Sequence, residues 1–162
     1  MREFLIPKDA IEEEAAVNIA APPERVAEVY RDVKNWGNTF PASIKSARVI
    51  KTGNNWKEIE VDHTQEGRVP NTLIDLSPTE IGLWESKKKF DAGFLNSFQR
   101  TANGGTHYVI HAYISPKGIY KLLKPLLVGY VHHQALKQVK SYVLEPLKLA
   151  AEKQPSPQGP RK

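Results

Sequence analysis

Apolar and polar residues alternate along much of this chain, and the alternation stops wherever turn residues cluster. In residues 13–21, EEAAVNIAA, the side chains of Ala15, Val17, Ile19 and Ala21 fall on one side, the period-two pattern of a half-buried strand. Pro22 and Pro23 end it. Pro23 suits the first turn of a helix, where its missing N–H would be unpaired anyway, and Val26, Val29, Tyr30 and Val33 follow at helical spacing. The chain is thus expected to pass from a strand straight into a short amphipathic helix. A loop, WGNTFP, then carries Trp36 and Phe40.

Period two returns in SARVIKT, turns at GNN and resumes in WKEIEVDHTQE, with Ile59, Val61 and His63 on one face, so a hairpin is predicted here. Further strands are expected in VPNTLIDLS, EIGLWESKKKF, GFLNSFQRT and, after Asn-Gly-Gly, THYVIHAYIS. Short strands joined by tight turns argue for an antiparallel meander of about seven strands, because parallel strands need crossovers for which there is no room. From Ser115 the period becomes helical. Ile119, Leu122 and Leu123 fit a short helix, and a long helix is expected from Pro125, with Val128, His132, Ala135, Leu136, Val139, Val143 and Leu147 on its buried stripe and a bend near Pro146.

With 162 residues, the chain is expected to form a single domain over 1–152 followed by a disordered, basic, Pro-rich tail over 153–162. Lys153, Arg161 and Lys162 in that tail account for +3 of the formal net charge of +5, leaving +2 for the body. The body is not basic enough to suggest nucleic-acid binding, and the one lysine run, Lys87 to Lys89, reads as a solvated strand edge. The absence of cysteine excludes disulfides, thiolate metal sites and cysteine nucleophiles. With no signal-peptide pattern and no membrane-span pattern, a cytoplasmic setting without integral membrane association is the expectation.

The order of these elements resembles the helix-grip fold of the START-like (SRPBCC) superfamily, which includes polyketide cyclase/dehydrase and lipid-transport-like proteins. The likeness is carried by VNIAAPPERVAEVYRDVKNW at the front, by GGTHYVIHAYISPKGIYKLLKPLL at the back, and by the long helix that follows. It implies an α+β fold, a bent antiparallel sheet wrapped around the C-terminal helix, with a cavity between them for a small hydrophobic or amphipathic molecule. It implies no particular reaction, because the superfamily shares a fold and not a chemistry.

The candidate chemistry is sparse. His107 and His111 lie four residues apart on one strand face, about 13 Å, too far to share an ion. The adjacent His132 and His133 point about 100° apart. No metal and no cofactor is therefore expected. His63, on the apolar Ile59–Val61 face, is either a cavity residue that binds or protonates a ligand oxygen or a core histidine satisfied by a neighbour. His132 is placed to face it or to lie near the mouth. Arg100 shares a face with Phe94, Asn96 and Phe98 and is either an inward anchor for a ligand anion or simply solvated. The expected lining is Trp36, Phe40, Ile59, Val61, His63, Trp84, Phe94, Arg100, Tyr113, His132 and Leu136. Three functions stay open: a binder of a lipid-, quinone- or polyketide-like molecule, a cyclase/dehydratase using His63 as acid or base, and a protein-interaction module. Cavity polarity separates the first two, and a filled cavity with an exposed apolar patch marks the third.

Overall fold

The computed structural model describes residues 5–153. Its centre is a seven-stranded antiparallel sheet. Strand β1 (Ile11–Ile19) starts two residues earlier than the alternation suggested and buries Ile11, Glu13, Ala15 and Ile19. Helix α1 (Pro23–Arg31) follows after three residues, with Pro22 extended at its N-cap and Pro23 in its first turn. The corner is fixed from two sides: Thr106 Oγ1 donates to the Ala21 carbonyl at 2.6 Å, and the Ala20 N–H donates to Glu152 Oε1 at 2.7 Å. α1 buries Val26, Ala27 and Tyr30. A 3-10 turn (Val33–Asn35) and the short helix α2 (Trp36–Thr39) then bring Trp36 and Phe40 against Tyr30, with ring centroids 5.8 and 6.2 Å from its ring.

The meander is β2 (Ile44–Thr52), β3 (Trp56–His63), β4 (Gly67–Ser77), β5 (Glu80–Ser86), β6 (Phe90–Arg100) and β7 (Thr106–Pro116). The sheet order is β1-β7-β6-β5-β4-β3-β2, so every meander strand pairs with its sequence neighbour and β1 closes the far edge beside β7. Register shifts in β2 and at the end of β4 supply local bends. Arg31 ties α1 to the β4–β5 turn through Asp75 at 2.6 Å and the Ser77 carbonyl at 2.8 Å. The lysine run is not a strand edge: β5 ends at Ser86, and residues 87–89 form the turn into β6, which swings Lys87 inward and leaves Lys88 and Lys89 exposed.

The C-terminal helix has three parts, α4 (Lys124–Val139), a π-helical turn (Lys140–Leu144) and α5 (Glu145–Glu152), preceded by the four-residue α3 (Ile119–Leu122). The expected bend near Pro146 takes the form of that π turn, whose wider ring lies just ahead of a residue with no N–H to donate. The helix is buried most deeply toward its C-terminal end. Leu144, Leu147 and Ala151 are buried, and Leu136, Val139 and Val143 are half-buried against the core, but Val128, expected on the buried stripe, is exposed. The side chain of Ala135 and the tail from residue 154 lie outside the described residues.

Candidate functional site

Between the inner face of the sheet and the helix near the π turn is a cavity of about 220 Å³. One buried water needs about 15 Å³, so this is a space for a small molecule and not a packing defect. Its walls are mostly apolar: Trp36 and Phe40, Ile44 and Val61 from β2 and β3, Leu83, Phe94 and Ile110 from the middle of the sheet, and Val139 and Val143 from the helix. The room comes partly from Ala92 and Ala112 on the inner faces of β6 and β7, where methyl groups stand in positions that take large side chains elsewhere in the core.

Polar groups gather at one end, beside the β3–β4 and β5–β6 turns. Glu85, 5% exposed, continues the inward face of Ile81 and Leu83, and its Oε1 lies 3.2 Å from Lys87 Nζ. The same ammonium is 2.6 Å from Glu66 Oε2. Burial pushes the Glu85 carboxyl above its ordinary value, against the pull of Lys87. Burial also opposes the charge on Lys87, but Glu85 and Glu66 outweigh it and hold its pKa above the ordinary lysine value. Beside them the Asn71 amide lies against Glu85, and with its nitrogen turned toward the Val69 and Pro70 carbonyls it donates to them at 3.0 and 3.2 Å.

His63 completes this end. Its Nε2 is buried and has no hydrogen-bond partner among the described residues. Burial lowers its pKa and the nearby Lys87 ammonium works in the same direction, so the neutral imidazole is favoured. A buried ring nitrogen without a partner carries an uncompensated cost that a ligand's polar group can relieve.

At the far end the cavity meets a closed polar network. Tyr108 Oη donates to Asn96 Oδ1 at 2.6 Å, and Asn96 Nδ2 donates to the Ile81 carbonyl at 3.0 Å and to Tyr30 Oη at 3.2 Å. Asn96 is fully buried, and burial raises the pKa of both tyrosines, so they stay neutral hydrogen-bonding groups.

Of the residues expected to line the site, Trp36, Phe40, Val61, His63 and Phe94 line the cavity. Ile59 is in the core but not in the wall, and Leu136 packs half-buried beside it. Trp84 and Tyr113 lie on the opposite face of the sheet, because their neighbours Leu83, Glu85, Ala112 and Ile114 all face inward. Arg100 is on the inward-facing side of β6 but at its last residue, beyond the enclosed region, and its exposed guanidinium pairs with Glu24 at 2.6 Å. His132 faces β1 and not His63: its Nδ1 lies 2.6 Å from Oε1 of the buried Glu13. His107 and His111 contact Asn18 and Glu14 of β1. Tyr30, Asn71, Glu85 and Lys87 are lining residues that the reading of the sequence left out. For Glu85 the signal was present, two residues after Leu83 in a clean alternation.

No protein-family model matches the sequence, and no curated protein matches it. Solved structures do. The di-domain ARO/CYC BexL from the BE-7585A biosynthetic pathway aligns over 92% of this chain with a TM-score of 0.73 at 15% identity. This chain spans only 52% of that two-domain protein. The Zhui aromatase/cyclase from Streptomyces sp. R1128 aligns over 88% of this chain and 94% of its own, with a TM-score of 0.64 at 18% identity. A START superfamily protein from Mycobacterium smegmatis aligns over 80% of this chain and 97% of its own, with a TM-score of 0.55 at 14% identity. The fold is the helix-grip fold that these structures share. At these identities the likeness is one of fold, and in this helix-grip fold the site's chemistry is set by the residues described above. No described helix is long and apolar enough to cross a membrane.

Proposed function

We propose that this protein binds one small amphipathic molecule in the cavity between sheet and C-terminal helix, its apolar body against Trp36, Phe40 and Phe94 and its polar end at His63. The observation that carries this reading is the buried, unpartnered His63 Nε2 at the polar end of an otherwise apolar cavity. Aromatase/cyclases and a START superfamily protein among the structural neighbours support a hydrophobic-ligand role. In this reading residues 1–152 act as one ligand-binding domain in a cytoplasmic setting. A second reading, catalysis of a cyclisation or dehydration, draws on the same nitrogen: a neutral imidazole in an apolar pocket is a competent general base for a ligand proton.

The test uses naphthalene and naphthol, which differ by one hydroxyl. Naphthol is expected to bind at one equivalent with a Kd in the micromolar range, about 8 kcal/mol, and more tightly than naphthalene. His63→Leu should keep or improve naphthalene binding and cost naphthol about tenfold relative to it, about 1.4 kcal/mol. Ala112→Leu, which fills the cavity, should abolish both while leaving the protein folded. Absence of binding to the native protein, or full binding to Ala112→Leu, overturns the proposal. Acceptance of a proton from naphthol in the ground state, seen as naphtholate absorption that is lost in His63→Leu, would favour the catalytic reading.

A further inference from the structure

The face built by α3 and the first half of α4 is unlike the rest of the surface. Ile119, Leu122, Leu123, Leu126, Val128 and Tyr130 are all exposed, Leu122 at 82% and Leu126 at 79%, and α3 has no buried residue. Single exposed apolar residues are ordinary, but Ile119, Leu122, Leu123, Leu126 and Tyr130 follow one another at helical steps of one to four and share a side, while Val128 points away from Leu126.

The charges around the patch are mostly positive. Lys117, Lys121 and Lys124 lie within or beside it. The β5–β6 turn adds Lys88 and Lys89, both exposed. Lys89 is held there by two contacts: its carbonyl accepts from the Lys117 N–H at 2.8 Å, and its ammonium sits 5.7 Å from the Tyr120 ring. The Lys124 ammonium donates to the Asp9 carbonyl. The neighbouring acids are Asp9 and Asp91, the latter paired with Lys117 at 2.6 Å. From Ala92 to Leu144 the sequence has neither Asp nor Glu.

We propose that this face docks peripherally on an anionic lipid bilayer, with the leucines of α3 and α4 in the interfacial region and the lysines on the headgroups. An apolar strip flanked by lysines matches a negatively charged interface in both its components. A second copy of the chain fits worse. A two-fold interface sets the same patch against itself, so Lys121 and its neighbours would meet their own counterparts. The face also adjoins the cavity: α3 follows Pro116, which pairs with Phe90, a cavity-lining residue. Docking rests on the patch alone and does not require the ligand proposal.

The full chain is to be sedimented with vesicles of phosphatidylcholine alone and of phosphatidylcholine with phosphatidylserine. Binding to the serine-containing vesicles is expected, at least tenfold tighter than to the neutral ones and weakened by high salt. Leu122→Ser with Leu126→Ser, and separately Lys89→Glu with Lys121→Glu, should each lower binding tenfold or more. Both pairs are exposed, so naphthol binding and circular dichroism should stay as in the parent, separating loss of docking from loss of fold or cavity. No binding to phosphatidylserine vesicles, or equal binding by the variants, overturns the proposal. So does a dimer by light scattering that Leu122→Ser dissociates, which would make the face a self-association surface.

Discussion

Replacing Asn96 with Ala tests whether the buried network beneath the cavity is a main determinant of stability. Asn96 is 0% exposed, and its side chain makes three hydrogen bonds, to Tyr108 Oη, the Ile81 carbonyl and Tyr30 Oη. The substitution strips a partner from each of these groups inside the core, at about 1–3 kcal/mol per buried group left unsatisfied. Some of the loss is recoverable if the two tyrosine hydroxyls move toward each other, so about 3–5 kcal/mol in all is expected. That is a large part of the roughly 5–15 kcal/mol that holds a typical domain folded. With a urea slope of about 1–3 kcal/mol/M, the midpoint should fall by at least about 1 M. Tyr108→Phe removes only the 2.6 Å bond, and the double variant should lose clearly less than the two singles added together, because they share that bond. Asn96→Ala costing less than about 1 kcal/mol, or strict additivity in the cycle, would refute the view that Asn96 is the hub.

Three further outcomes follow from individual contacts. His63 has its folded pKa below the unfolded 6.5, so the unfolded chain protonates first; its contribution is whole above pH 6.5 and is lost as pH falls toward the folded value. His63→Leu should therefore flatten the stability profile below pH 6.5, and urea midpoints that fall in parallel for both proteins would contradict this. His132→Ala leaves Glu13, whose side chain is 3% exposed, without its 2.6 Å partner and should cost about 1–3 kcal/mol, with Glu13→Gln costing less, both read from thermal or urea midpoints. Gly93→Ala would place a methyl 1.7 Å from the Leu5 carbonyl oxygen, a backbone clash expected to cost about 1–3 kcal/mol; at Gly82 the new methyl meets only the movable end of the Leu5 side chain, so Gly82→Ala should be milder by the same measurement.

The strands were legible because each has a period-two core face bounded by turn residues, as in the Gly53-Asn54-Asn55 hairpin and the Asn103-Gly104-Gly105 turn. The inward direction of His63 came from the same alternation, whereas the alternation of the Phe94–Arg100 strand left its inward face open. Trp84 and Tyr113 were placed inward on size alone, although the alternation on their strands pointed them out. Glu85 and Lys87 were the reverse case. Charged side chains normally face water, and only the three-dimensional pairing of Lys87 with Glu85 and Glu66 shows how two charges come to line a cavity. His132 sits at helical spacing with Leu136 and Val139, but periodicity cannot say that the facing strand carries a buried Glu13.

The C-terminal helix divides at the π turn into a deeply buried half and a more exposed half tied to β1 through His132 and Glu13, and the cavity lies at the division. Val139, Tyr142 and Val143 form its wall, while Leu144, Leu147 and Ala151 beyond it are buried and Glu152 holds the Ala20 N–H. Ahead of it, α3 and the start of α4 bury little, so their opening disrupts few apolar contacts. Displacement of α4 about the π turn would widen the cavity without unfolding the sheet, and hydrogen exchange tests that route. Amide hydrogen exchange should be fast over residues 119–136 and slow over 144–152 in the same helix, and naphthol should slow exchange at 139–143. Uniform protection along the helix would show that it moves as one body and that the ligand enters elsewhere.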